Sequence, residues 1–232
     1  MRILQPFYNT SLACPQKTRY NANQILHAQG ELMKKIAFFD IDGTLTSEID
    51  GSIPVSAIEA IRAARANGNL MFINTGRCFQ NVEERFRSIG FDGLVCGCGT
   101  NIYCEDREIL HVSQTHDVTM ELLKAAQDAD LDILFESYKE VTFDRSRPLH
   151  DSEAIKLYRQ FASFDYHMPD PNTTPDFACD KFVTWFQKPA QLAEFRQVSD
   201  QYFTCIDRGG NFREYVPHGY SKATGIQYVL DH

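Results

Sequence analysis

The chain has little of what would tie it to nucleic acid or to a membrane. It carries no basic run, and its 23 Lys and Arg are outnumbered by 31 Asp and Glu, for a formal net charge of −8. That balance argues against nucleic acid or an anionic lipid surface as the main partner. No apolar stretch approaches the roughly 20 residues that span a bilayer, and the N-terminus lacks a signal peptide's apolar segment. Cysteines number seven in 232 residues, an odd count that reads as reduced thiols in a cytoplasmic protein rather than a disulfide framework. Cys96, Cys98 and Cys104 form the tightest group, but a zinc site would want a second clustered pair or paired histidines, and neither is present. Repeats and low-complexity tracts are also missing. What the chain does have is 43% hydrophobic residues, enough for one large core or two small ones.

The most informative stretch is Lys34–Leu45, KKIAFFDIDGTL. The unbroken apolar run Ile36–Phe39 is the pattern of a strand buried on both faces, and predicts the central strand of a parallel sheet. Ligands of open α/β sheets bind beyond the carboxyl ends of such strands, where Asp40 and Asp42 fall. Residues i and i+2 point the same way, so both carboxylates can face one site. Two like charges so close need a cation or a proton between them, and a hard divalent ion, Mg²⁺ above all, is the economical answer. Gly43 lets the chain turn sharply and bring backbone N–H groups to an anion. A calcium loop is the rival, but it needs Gly at its sixth position and Glu at its twelfth. Counted from Asp40, those positions hold Leu45 and Gly51, so that reading fails.

Residues 1–32 are polar, rich in Asn and Gln, and without a sustained period. Met33 resembles a natural start, so the preceding residues are expected to be a disordered extension or an over-long gene reading; the alternative is an arm packed on the core. After Leu45, Ser56 and Glu59 suggest a capping box for a helix that Gly68 closes. A second apolar run, Leu70–Ile73, leads to Asn74-Thr75-Gly76-Arg77. Phe79, Val82, Phe86 and Ile89 then predict one further helix ended by Gly90, and Gly93–Cys96 a third strand. Strands alternating with amphipathic helices mean βαβ units. From about residue 113 to 216 the pattern changes to an α+β insertion. Helices are expected near 117–129, 152–161 and 190–202, and strands near 133–135, 141–143, 181–186, 203–206 and 212–216, with a Pro-rich loop at 168–175.

Two later stretches bear on the chemistry. Thr75-Gly76, at a strand's end before a helix, can hold a phosphate oxygen through Oγ and backbone N–H groups, although a capped helix would look the same. In Gly219-Tyr220-Ser221-Lys222, a Lys opening a helix is electrostatically misplaced for the helix itself, and makes more sense facing an anion. The order D-x-D-G-T, then T-G-R, then an inserted domain, then G-x-S-K resembles the Cof-type (subfamily IIB) branch of the haloacid dehalogenase (HAD) superfamily over Lys34–His232. Phe91–Leu94 and Arg213–Pro217 resemble its connecting segments.

The resemblance implies a doubly wound α/β core from residues 33–112 and 217–232, with an α+β cap at 113–216. It also implies a Mg²⁺-dependent phosphatase acting on a small phosphorylated metabolite such as a sugar phosphate, nucleotide or cofactor phosphate. Asp40 would be the nucleophile and Asp42 the general acid/base. Gly43, Thr75 and Gly76 would bind the phosphoryl group with Lys222, and Asp40 with the Asp42 backbone carbonyl would hold Mg²⁺. The family's fourth motif, G-D-x-x-x-D, is not found, since the sequence ends ten residues after Lys222. The chain as given is therefore expected to hold metal poorly and to be less stable and less active than one extended through that motif. Two alternatives stand beside the phosphatase: an impaired phosphate-binding fragment, and a phosphomutase, which would need a second phosphate site.

Overall fold

The computed structural model describes residues 34–232 apart from positions 48, 106 and 165. The expected N-terminal extension, 1–32, lies outside the described residues.

The first sheet has five strands in the order β1-β2-β3-β4-β5: Ile36–Phe39, Leu70–Asn74, Gly93–Cys96, Asn101–Cys104 and Arg107–His111. β1, β2 and β3 run parallel, as an α/β fold requires. β4 and β5, which the sequence pattern did not suggest, return as an antiparallel hairpin. One expectation is corrected here. Among the described residues β1 is an edge strand rather than a central one, and Ile36–Phe39 are half-buried. The apolar run reflects packing against Phe72 and Phe91, not strands on both sides.

Helix α1, Val55–Ala66, joins β1 to β2. The capping box does not form: the helix starts a residue before Ser56, with Pro54 at its N-cap and no side-chain cap. Gly68 does close it in the left-handed region, at φ 83°. The single helix expected over 79–90 is also corrected. It breaks into a tight turn at Phe79–Asn81 and a short helix α2, Glu84–Arg87, with Val82 and Glu83 extended between them. Val82, Phe86 and Ile89 are all buried as the spacing implied. The Asn81 carbonyl, however, accepts from Arg77 Nη1 at 3.3 Å, which competes with a continuous helical ladder.

The second sheet is antiparallel throughout, in the order β7-β6-β8-β10-β9: β6 Asp132–Glu136, β7 Val141–Phe143, β8 Lys181–Trp185, β9 Phe203–Asp207 and β10 Phe212–Pro217. Helices α3 (His116–Asp128), α4 (Ser152–Ser163) and α5 (Pro189–Ser199) complete it. Side chains alternate across this sheet. Phe135 and Phe182 enter a core with Leu122, Phe195 and Tyr215. Leu134, Val183 and Trp185, on the other face, pack with Ala154 and Phe161 of α4.

The last helix, α6 (Lys222–Asp231), returns to the first sheet. Ser221 caps it reciprocally with Thr224: Ser221 Oγ accepts from Thr224 N at 3.1 Å, and Ser221 N donates to Thr224 Oγ1 at 2.8 Å. Its seat is a contact between two glycines. A Cβ on Gly225 would lie 2.5 Å from Val95 Cγ1 and 3.1 Å from Gly99 Cα, and one on Gly99, itself at φ 92°, would lie 2.4 Å from the Ser221 carbonyl oxygen. Tyr228 Oη donates to the Ile109 carbonyl at 2.9 Å and ties the far end of α6 to β5. Gly225→Ala should therefore destabilise, although Ala is the better helix former by about 1 kcal/mol. Overpacking of this contact is expected to cost about 1–3 kcal/mol, measured by thermal or urea melting. A rise in stability would show that α6 is not tightly seated.

Candidate active site

β1 delivers Asp40 to the end of the first sheet, and the chain then makes a wide turn. Leu45 N donates to the Asp40 carbonyl at 3.2 Å and Thr46 N to the Ile41 carbonyl at 3.1 Å. Inside this turn Asp42 is extended (φ −74°, ψ 121°) and Gly43 takes φ 69°, a conformation that favours glycine. Ile41 and Leu45 anchor the turn in the core.

Four of the predicted site residues, Asp40, Asp42, Gly76 and Lys222, line one cleft of about 450 Å³, and the second sheet supplies much of the cleft's other wall. Lys222 Nζ donates to Asp40 Oδ2, while Asp40 Oδ1 accepts from Ile41 N at 2.8 Å. The helix-opening lysine thus faces an anion, and Asn74 Nδ2 steadies it by donating to the Lys222 carbonyl at 3.2 Å. Gly76 lines the cleft; Gly43 and Thr75 do not. Thr75 is wholly buried, and its Oγ1 accepts from Arg77 N at 3.2 Å. The Gly76 position is explained by close approach: an added Cβ would stand 3.3 Å from Glu214 Oε1 and 3.4 Å from Cys98 Sγ.

Arg77 binds Asp42 with two parallel bonds, Nη2 to Oδ1 at 2.7 Å and Nε to Oδ2 at 3.1 Å, the fork geometry that makes Arg–carboxylate pairs strong. Burial works against the Arg77 charge, but Asp42 and Glu83 outweigh it and hold the guanidinium pKa above its ordinary value.

The second sheet contributes charged residues that the sequence did not suggest as functional. Register places Glu136 of β6 opposite Lys181 of β8, with Glu214 of β10 on the next strand. Lys181 is 3% exposed, and its ammonium touches three acceptors: Glu136 Oε2, Glu214 Oε1 at 2.8 Å and, across in the first sheet's domain, the Gly76 carbonyl at 3.1 Å. Arg208 grips the second Glu214 oxygen through Nε, at 2.7 Å, and Nη2. Burial would lift the Glu214 carboxyl, but Lys181 and Arg208 prevail and bring it down to about 2. Burial raises the deeper Glu136 above the usual range despite Lys181. For Lys181, burial opposes the charge and the two carboxylates more than restore it, holding its pKa well above the ordinary lysine value. A hint was present in the sequence: Lys181 shares a strand face with Val183 and Trp185, and a charge on an apolar face calls for a partner.

The six cysteines at described positions are free thiols, and burial pushes Cys98, beside Glu214, up to about 12. No helix among the described residues is long and apolar enough to cross a membrane. No group of three or more His, Cys, Asp or Glu side chains converges as a metal cage among them either.

A carboxylate pair at a parallel strand's end meets a lysine from a later helix, with a second sheet across the cleft. A sequence model of haloacid dehalogenase-like hydrolases matches residues 37–232, and the chain belongs to that family. The resemblance drawn from the three motifs is thus borne out. A phosphoglycolate phosphatase of Staphylothermus marinus is 30% identical over 138 residues, which are 57% of this chain and 53% of that protein. A Streptococcus pyogenes relative is 25% identical over 93% of this chain and 43% of its own length. The chain thus spans about half the length of these two curated relatives. The fold is similar to that of the HAD subclass IIB sugar phosphatase BT4131, with a TM-score of 0.70 at 20% identity, covering 86% of this chain and 76% of that one. It is also similar to BT1666, a HAD phosphatase of Bacteroides thetaiotaomicron, with a TM-score of 0.67 at 21% identity over 88% and 74% of the two chains.

The lowered Glu214 pKa has a measurable consequence. A carboxyl at about 2 when folded against 4.5 ordinarily contributes stability that is present above about pH 4.5 and lost as the pH falls through about 2. At about 1.4 kcal/mol per pH unit this is about 3 kcal/mol. Glu214→Gln should therefore melt well below the wild type at pH 7, and the gap should close progressively between about pH 4.5 and 2. A gap independent of pH would show that packing, not the charge, holds Glu214.

Proposed function

We propose that the protein is a Mg²⁺-dependent phosphatase that hydrolyses a small phosphorylated metabolite through an aspartyl-phosphate on Asp40. The observation that carries this reading is the Asp40–Lys222 ion pair on the floor of the capped cleft. It brings an anionic nucleophile and a fixed cation to the place where phosphoryl charge develops. Relatives described as phosphatases of phosphoglycolate and of sugars support a small phosphomonoester as substrate.

In the first step the Asp40 carboxylate attacks phosphorus as the bond to the leaving oxygen breaks, and Asp42 gives that oxygen a proton. Water then attacks the aspartyl-phosphate, Asp42 takes the water's proton, and the Asp40 carboxylate is regenerated with release of phosphate. To carry its proton Asp42 must part from Arg77, and the guanidinium is then free to grip a phosphoryl oxygen with the same fork. Lys222 and the Gly76 N–H offset charge on the phosphoryl oxygens, while the second sheet's side of the cleft excludes bulk water.

Asp40 retains the capacity to share in holding Mg²⁺ bound together with substrate. Each Asp40 oxygen accepts one hydrogen bond and has further acceptor capacity. Such an ion keeps several waters and needs only one or two carboxylates beside a phosphate oxygen. The Asp40 carboxylate and the Asp42 backbone carbonyl would hold it. When bound, Mg²⁺ supplies positive charge that offsets the phosphoryl group's own.

Phosphate release from a generic aryl phosphate, with and without Mg²⁺, tests the reading; an impaired phosphate-binding protein would release none. Asp40→Asn is expected to lose turnover to background while melting like the wild type, and normal turnover would sink the covalent mechanism. Asp42→Ala should lower kcat by about 10²–10⁴-fold with little change in KM, since general acid/base help acts in the transition state. An effect confined to KM would contradict that role. EDTA should abolish release and added Mg²⁺ restore it; undiminished release in EDTA would remove the metal from the account.

A further inference from the structure

Lys181 belongs to the second domain, yet one of its three partners is the backbone of the first domain's phosphate-binding turn. We propose that Lys181 is a positioning residue for Thr75–Arg77: its ammonium fixes the Gly76–Arg77 peptide, and that peptide fixes the Thr75 hydroxyl. This rests on the reading above, in which the turn at Gly76 faces the phosphoryl group.

The geometry runs through one planar unit. Lys181 Nζ donates to the Gly76 carbonyl at 3.1 Å. The N–H on the other end of the same peptide, Arg77 N, donates to Thr75 Oγ1 at 3.2 Å. Because a peptide is rigid and planar, holding its C=O sets the direction of its N–H. The Thr75 hydroxyl that accepts this bond is buried beneath the turn, so the Lys181 contact ties the turn's surface peptide to its buried support. The rest of the turn is fixed by the first domain alone: Thr75 N donates to the Val95 carbonyl at 2.8 Å, Cys98 N to the Thr75 carbonyl at 3.1 Å and Gly97 N to the Arg77 carbonyl at 2.8 Å. Among these carbonyls, Gly76's is the one held from the second domain.

The ammonium is itself held in place. Its three donors are matched by three acceptors, Glu136, Glu214 and Gly76. Arg208 holds the remaining Glu214 oxygen, so Glu214 cannot swing aside and take Lys181 with it. A long flexible side chain thereby becomes a fixed strut, which is what positioning to a fraction of an ångström demands.

The test uses the full chain with Glu136→Met and Lys181→Met together, a charge-balanced exchange of similar volume that buried pairs often tolerate. Lys181→Met alone is the companion variant, in which the buried Glu136 can take up a proton and stay neutral. With an aryl phosphate and Mg²⁺, the paired variant is expected to melt near the wild type. Its kcat should fall by between about tenfold and a hundredfold, with KM within about threefold. In a Thr75→Val background the same exchange should cost little more, because both changes remove one unit. Hydrogen exchange at the Arg77 amide should speed up in the paired variant while β2 amides are unaffected. Undiminished kcat, effects that simply multiply with Thr75→Val, or unchanged exchange at Arg77 would each overturn the proposal. If the wild type releases no phosphate, the phosphatase reading fails, and the exchange measurement still decides whether Lys181 orders the turn.

Discussion

Four carboxylates crowd one cleft, and each is held by a cation. Asp40 meets Lys222, Asp42 meets Arg77, Glu136 meets Lys181, and Glu214 is shared between Lys181 and Arg208. Asp42 remains largely exposed, but Glu136 and Glu214 are buried, and there an unpaired charge would cost several kcal/mol or lose its ionisation. The rest of the structure can be understood as a means of bringing the four cations there. They come from four separate segments: the turn after β2, strand β8, the loop between β9 and β10, and the first turn of α6. None of these segments could stabilise the cleft alone. The seating of the second sheet's strands and of the last helix is therefore electrostatically tied to the site they line.

Small residues make this convergence possible. Gly99 and Gly225 let α6 lie against the loop after β3, so that Lys222 reaches Asp40. Gly76 lets Glu214 and Cys98 come up to the turn that carries Arg77. Gly43 allows the wide turn that presents Asp42. In each case a side chain would stand where a neighbouring backbone or a charged group must be, or would strain the turn itself. Burial also decides which thiols and acids are reactive. Burial pushes the Cys98 thiol, beside Glu214, up to about 12, whereas Glu214 stays ionised far below the usual range because its cations are fixed.

Much of the fold could be read from local pattern. The strand ends carrying Asp40 and Thr75 and the helix opened by Lys222 are short-range features, set by an apolar run, a turn-forming glycine or a cap. The strands and helices of the second domain were likewise legible within a residue or three of their bounds. The misreadings came where a distant group competed with a local preference. The helix over 79–90 is broken beside Arg77, whose guanidinium takes the Asn81 carbonyl. Ser56 lies one residue inside α1 and caps nothing. The run Ile36–Phe39 looks central, but apolar packing of one strand does not reveal its neighbours, and β1 lies at the edge of the described sheet.

By itself, then, the sequence determined the family, the α/β and α+β character of the two regions, which two aspartates could share one site and which lysine could face an anion. Those follow from spacing along one strand or one helix, which the chain carries locally. Only the tertiary structure decided that Arg77 would clasp Asp42, that Thr75 would be buried beneath the turn rather than lining the cleft, and that Glu136, Lys181 and Glu214 would converge on Gly76. Those residues lie on separate strands and loops, up to 138 positions apart from Gly76 to Glu214. Strand register and domain docking bring them within hydrogen-bond reach, and neither can be read from the identity of a residue and its near neighbours.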